Sequence, residues 1–322
     1  MRVKNDDAER SGILGLGKVS REVLMRSVFP FIPLEEQPSL DGGFAYLRGR
    51  TAISHSPSIG VPLEPLGFFA FHYAASNVAC LFARPKHLIV GIYLPLGTEE
   101  SDLCTIAAGI GDEARRYDVT VAAGQTATYF GLEMPLIAST CIGNPIRKPS
   151  RIRGGDRVAI VGDVGGEALW LRDLSNGRMD NRWRKFTPLP MALELIGMGG
   201  VRLMHDVSEG GVRGALREIA EAKNIRLDVD SGEVPFVRGV ESLGQDVMSV
   251  PTYGTLVLII KPGISDELIE TFERVGYPFA LIGEVKTGTG VYLDRVRMEG
   301  LGRTTIDELY GTFKPVRSER NG

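Results

Sequence analysis

The 322-residue chain has only three cysteines, four histidines and two tryptophans. Cys80, Cys104 and Cys141 are unclustered and odd in number, which excludes a disulfide frame, and four scattered histidines give no zinc spacing. Each cysteine lies in apolar sequence, so each is expected to be a small buried side chain. No apolar run reaches the roughly 18 to 20 residues that cross a bilayer, and the opening MRVKNDDAER has no signal-peptide core. These absences predict a cytoplasmic protein with no membrane partner. A formal net charge of -3 excludes a nucleic-acid binder that works by bulk positive charge. There is also no internal repeat and no low-complexity segment.

What is present suits a globular enzyme or binding protein. With 43% hydrophobic and 24% charged residues, the length accommodates two domains with real cores. Forty glycines among short β-like runs predict an α/β chain with many turns. A glycine loop, Gly12 to Ser20, precedes a helix from about Ser20 to Phe29 that Pro30 and Pro33 end. That loop lacks P-loop spacing. Strands are expected at Phe44 to Leu47, Thr51 to Ser54, His87 to Leu96, Asp118 to Ala122 and Pro135 to Ile142. Buried helices are expected over Gly67 to Pro85 and, capped by Ser101, to about Tyr117. The polar stretch NPIRKPSRIRGGD ends a first domain at residue 148 and opens a second over 149–322, with the basic cluster Arg147 to Arg157 read as linker. The second domain carries strands at Arg157 to Val161, Gly254 to Ile260 and Pro278 to Val285. Its helices fall near Met191 to Gly197 and from Ser265 to Val275. Asn176 to Lys185 reads as a surface excursion, solvated or a lid over substrate.

The segment HDVSEGGVRGALREIA, residues 205–220, concentrates the chemistry. Val212, Ala215, Leu216, Ile219 and Ala220 repeat with helical spacing, so the helix buries one face. Gly210 and Gly211 open that helix. Bare amides at its positive end would seat an anion; alternatively, the glycines serve a tight turn with Ser208 or Asp206 as cap.

This segment resembles the His-Asp-Pro-Thr-x-Gly-Gly-Leu signature of the aminoimidazole ribonucleotide synthase superfamily, with Val207 for proline and Ser208 for threonine. Gly154 to Gly166 resembles the family's Gly-Asp-x-Val strand and glycine turn, and the order of elements matches along nearly the whole chain. The segment Pro57 to His72 resembles archaeal HypE-like members more than the purine enzymes. The resemblance implies two α/β domains, the first forming a barrel across a homodimer and the second an antiparallel, ferredoxin-like sheet covered by helices. It further implies ATP as cofactor, with Gly15, Gly17 and Lys18 near its phosphates and a small-molecule substrate or protein-borne group receiving phosphate. Asp206 and Glu209 would be the catalytic or metal-binding acids, and Gly210 and Gly211 would offer amides.

The family's other acids are replaced. Ser56 stands where an Asp follows the early strand, Asn77 where an Asp precedes Ala-x-Pro, and Gln125 where Asp, Glu or His stands in a Gly-Gly-x-Thr turn, here Ala123-Gly124-Gln125-Thr126. A hydroxyl and two amides supply no negative charge, so magnesium affinity should fall sharply even with Asp41 and Asp206 retained. Asn77, Gly124, Gln125 and Thr126 would then read a nucleotide by hydrogen bonds, or simply satisfy one another. The chain also lacks the C-terminal Pro-Arg-Ile-Cys of HypE members and the reactive Cys or selenocysteine of selenophosphate synthetases. Two functions follow: an ATP-dependent phosphoryl-transfer enzyme acting on an amide or carboxyl oxygen, or a catalytically silent homodimeric relative that binds nucleotide or anion.

Overall fold

A computed structural model describes residues 43–46, 49–244 and 246–299, with backbone alone for 43–46. Two sheets organise them. The first contains β1 (Gly43–Tyr46), β2 (Arg50–Ile59), β3 (Ala83–Pro95), β4 (Thr120–Tyr129) and β5 (Leu136–Pro145), in the order β1-β2-β5-β3-β4. Only the β3–β4 pair is parallel, and α2 (Glu100–Arg116) makes that crossover. The second sheet contains β6 (Arg157–Val161), β7 (Val201–Asp206), β8 (Arg226–Val229), β9 (Leu256–Ile260), β10 (Phe279–Lys286), β11 (Gly290–Leu293) and β12 (Val296–Arg297). Its order is β12-β11-β8-β10-β6-β9-β7, antiparallel except for β8–β11. Helices α3 (Gly166–Ser175), α4 (Leu189–Leu195), α5 (Gly211–Lys223) and α6 (Ser265–Val275) belong to this second half.

The remaining helix, α1 (Leu63–Cys80), holds the halves together. Its prolines, Pro62 and Pro65, fall before and within the first turn, where their missing amides cost no intrahelical bond. It packs on α2 and the first sheet on one side and on α4 and β7 on the other. Apolar side chains therefore run nearly all round it, and one core joins Ala74 and Val78 to Met191 and Leu258. Polar residues on such a helix need internal partners. The helix ends at Cys80; Phe82 turns the chain at φ +57, so Pro85 lies within β3 and does not terminate a longer helix as the sequence suggests.

Other expectations change for similar reasons. Ser101 does not cap α2, which starts after Glu99 without a side-chain cap, and its hydroxyl lies 3.4 Å from the Glu99 carboxylate. Cys80 and Cys141 are buried, but Cys104 is exposed because α2 buries the row Ile106, Ile110 and Ala114 and Cys104 falls outside it. Asn176 to Lys185 is no free excursion. Trp183 is buried against Phe68, while Asp173 anchors Arg178 and Arg182.

Arg147 is more than linker. Its guanidinium donates to the carbonyls of Ile196 at 3.1 Å, Met198 at 2.8 Å and Val201 at 2.5 Å, and stacks 3.7 Å above the Phe82 ring. One side chain thus ties the end of α4 and the start of β7 to the end of α1. Arg147→Ala is expected to cost roughly 2 to 4 kcal/mol, because charge-assisted bonds and a cation–π contact are lost together and three carbonyls lose their donor. A urea-midpoint shift under a quarter of that size would remove Arg147 as a clamp.

Candidate functional site

The turn between β7 and α5 is braced from behind by residues 248–254. Val207 N–H donates to the Thr255 carbonyl at 2.9 Å, and the Ser208 carbonyl accepts from Gly211 at 3.0 Å and from Thr252 at 3.3 Å. Gly210, and not Asp206 or Ser208, occupies the N-cap position, where no side-chain cap bond is made. Gly211 has φ +62, and a Cβ there would stand 2.6 Å from the Met248 carbonyl oxygen and 2.7 Å from two further backbone atoms. Gly211 is thus required by close approach as well as by conformation. The amides of Val212 and Arg213 have no acceptor among the described residues, so the helix start retains donor capacity. The apolar face expected for α5 is buried, from Val212 to Ala220.

The acids lie around this turn in unequal settings. Asp206 is buried at the end of β7. His205 sits between two carboxylates, with Nε2 3.1 Å from Glu218 and Nδ1 3.9 Å from Asp206. Glu167, in the first turn of α3, is buried and accepts the Tyr253 N–H at 2.6 Å. Burial pushes its carboxyl up to about 7; the Tyr253 bond opposes this, and the nearby charge of Glu209 adds to it. Tyr253 faces α1, where its hydroxyl lies 3.0 Å from Ser76 Oγ, and burial followed by the charge of Asp206 raises its phenol well above the ordinary range. Residues 252–254 therefore connect Glu167, the Ser208 turn and α1.

The first-half residues do not all converge. Asn77 Nδ2 donates to Ser56 Oγ at 3.3 Å, and its Oδ1 is buried without a hydrogen-bond partner. The hydroxyls of Ser54, Ser58 and Ser139 are likewise buried and unbonded. Ser56 pairs with Ser139, Ser139 with Val90 and Val90 with Gly124, so these four share the helix-covered face. Gln125 is one residue on and faces the other side, whereas Thr126 returns to the inner one. The segment Ala123 to Thr126 is the middle of β4 and not a turn, because it pairs continuously with β3. Lys18, Gly15, Gly17 and Asp41 lie outside the described residues.

A second buried network crosses the halves. His72 Nδ1 is 2.7 Å from Thr187 Oγ1 and Nε2 is 3.0 Å from Glu113. Burial holds His72 below its ordinary range despite the bond and charge of Glu113. Burial draws Glu113 upward, but the His72 bond and the charges of His72, Arg116 and Arg184 outweigh it and leave it low. This arrangement fits a neutral imidazole bridging hydroxyl and carboxylate, with no opening to a substrate.

Sequence reasoning missed Glu167, Ser76 and Tyr253. A signal existed for the first: Glu167 is the lone acid before Ala168, Leu169, Trp170 and Leu171, an apolar run that forces it inside.

Two α/β halves are joined by a buried helix, and acids gather at the glycine-opened start of α5. The chain matches the N-terminal domain model of AIR synthase related proteins over residues 51–144 and the C-terminal domain model over 153–295, and it belongs to that family. The carbamoyl dehydratase HypE of Escherichia coli is 27% identical over 283 residues, covering 80% of this chain and 83% of that protein. Among solved structures, a HypE–HypF complex matches with a TM-score of 0.73 at 19% identity, covering 84% of this chain and 95% of the other. HypE in complex with ATP matches at 0.67 and 23% identity, covering 90% and 98%. Among the described residues, no helix is long and apolar enough to cross a membrane.

Proposed function

We propose that this chain is a homodimeric ATP-binding member of the family whose first-domain site does not hold magnesium, so that bound nucleotide is read and not turned over. One observation carries the reading: Asn77 donates to Ser56, one neutral group to another, where the family resemblance implies two carboxylates. The donor set does not fit magnesium, which favours carboxylate oxygens, and among the described residues no three His, Cys, Asp or Glu side chains group as metal ligands. ATP binding draws support from the fold shared with HypE in complex with ATP and from the free amides at the start of α5. A second reading, phosphoryl transfer to an amide or carboxyl oxygen, is favoured by Asp206, Glu209 and Glu167 lying near one another.

Calorimetric titration with ATP, with and without magnesium, paired with a phosphate-release assay separates the readings. We expect ATP binding of similar strength under both conditions and no release of phosphate. Metal-dependent binding and turnover that vanish in Asp206→Asn would establish the enzyme instead.

Dimerisation is argued from β4, a ten-residue edge strand exposed along almost its whole length and carrying exposed Val121 and Tyr129, with Phe130 just beyond at 94% exposure. Such edges attract a second strand unless they are covered. The double substitution Val121→Lys with Tyr129→Lys is expected to convert the protein to monomer in sedimentation velocity. An unchanged sedimentation coefficient would place the contact elsewhere.

A further inference from the structure

We propose that a cavity in the second half, at the β12 edge of its sheet, binds a small uncharged molecule with an aromatic body and a carbonyl oxygen, which Arg213 recognises. The cavity measures about 420 Å³ and lies between the start of α5, residues 246–248 and the β11–β12 hairpin. That volume suits a compact small molecule. Phe236, Met248, Leu293 and Met298 supply apolar wall. No residue of the first half lines it, so it is separate from the Asn77–Ser56 pair.

The polar groups decide what the apolar body must carry. Arg213 Nη2 lies 2.8 Å from Asp246 Oδ2, its only ion pair among the described residues. No acceptor reaches its buried Nε, and Nη1 makes no hydrogen bond among the described residues. The acids beside it are committed elsewhere. Asp246 accepts the Met248 N–H at 3.1 Å and the Ser249 hydroxyl at 3.1 Å, and Asp294 accepts the Ser231 N–H at 2.9 Å and its hydroxyl at 2.7 Å. Asp294 and Arg295 hold left-handed backbone at φ +50 and +71, as a two-residue hairpin between Leu293 and Val296 requires, and the Ser231 clamp fixes Asp294 there. The hairpin wall is thereby preset, beside a guanidinium with donors to spare. An anion could use those donors, but charge argues against it. Arg213 and Arg297 line the cavity together with Asp246, Asp294 and Glu299, an excess of one negative charge. A ketone or tertiary amide oxygen accepts the donors without that repulsion.

Met248 and Met298 are reporters inside the wall, two of the nine methionines in the chain. With methyl-labelled methionine and no nucleotide, the protein is titrated by NMR with N,N-dimethylbenzamide. The comparison probes are cumene, which lacks the oxygen, benzoate, an anion, and N,N-dimethylbenzylamine, a cation without the carbonyl. The amide is expected to shift the Met248 and Met298 methyl signals and to bind at least about tenfold more tightly than each of the other three. That ratio equals roughly 1.4 kcal/mol, within reach of one hydrogen bond to a charged group. Arg213→Leu removes every donor of that side chain, and should erase the amide's advantage while cumene still binds. Val247→Trp should abolish binding of both by filling the cavity. Equal affinity for the amide and cumene in the parent chain, tighter binding of benzoate or the amine, an advantage that survives Arg213→Leu, binding that survives Val247→Trp, shifts confined to other methionines, or no shift at all would each overturn the proposal. Because ATP is absent and no first-half residue takes part, the outcome is independent of whether the nucleotide reading holds.

Discussion

Gly211→Ala should lower the stability of this protein by about 3 kcal/mol, a left-handed conformation costing 1 to 2 and the forced contact a similar amount. The new Cβ would fall 2.6 Å from the Met248 carbonyl oxygen and 2.7 Å from Ser249 C and the Val250 oxygen, all backbone atoms that no rotamer change can move aside. Relief requires the start of α5 to separate from the 248–254 segment, which also holds Thr252 against Ser208 and Tyr253 against Glu167. At roughly 2 to 4 °C per kcal/mol for a chain of this class, the thermal midpoint should fall by about 6 to 12 °C. Gly214→Ala, one turn later, is the control. Its added Cβ meets nothing within 4 Å, so the helix should gain about 0.5 to 1 kcal/mol. Calorimetric midpoints that move together in the two variants would show that Gly211 serves propensity alone and that the brace is not tight.

That contrast also shows what could be read before the structure. The apolar row from Val212 to Ala220 is local and periodic, so the buried face of α5 follows from spacing. Gly210 and Gly211 look equivalent in sequence, and only the approach of a segment nearly forty residues later distinguishes them. The same holds for the charges. Ser56, Asn77 and Gln125 are three neutral replacements of equal standing in sequence, yet the packing of α1 on β2 puts the first two in contact and strand register turns Gln125 to the opposite face. Pairing parity depends on the bulge between Leu88 and Ile89, which no residue pattern announces. Arg147 was legible as basic but not as a clamp, because its acceptors are backbone carbonyls and carbonyls leave no trace in a sequence. Glu167 was passed over because acids in a first helical turn are ordinarily solvated, favourable partners of the dipole; its burial comes from Tyr253 and the aromatic cluster beside it.

Glu167→Gln should therefore make the protein more stable at neutral and alkaline pH. The carboxyl titrates at about 7 in the folded chain against an ordinary 4.5, chiefly because burial penalises its charge. Between those two values the folded state keeps a proton that the unfolded state has released, so stability falls as pH rises through the window and levels off above about 7. A displacement of that size is worth roughly 3 kcal/mol, lost in full only on the alkaline side. Glutamine keeps the shape and an oxygen for the Tyr253 N–H but cannot ionise. Urea midpoints should coincide for the variant and the parent below the window and separate above it, with the variant higher. Glu209→Gln, which removes the nearby like charge, should move the parent's transition to lower pH without abolishing it. A parent whose stability stays flat across the window, or a variant that keeps the parent's slope, would show that Glu167 is not the group that titrates. If the slope vanishes in the variant, the Glu167 carboxyl beside the Ser208 turn is about half protonated at neutral pH, held against the same Tyr253 that contacts Ser76. Among the acids around that turn, Glu167 is then the one able to give up or accept a proton near neutral pH.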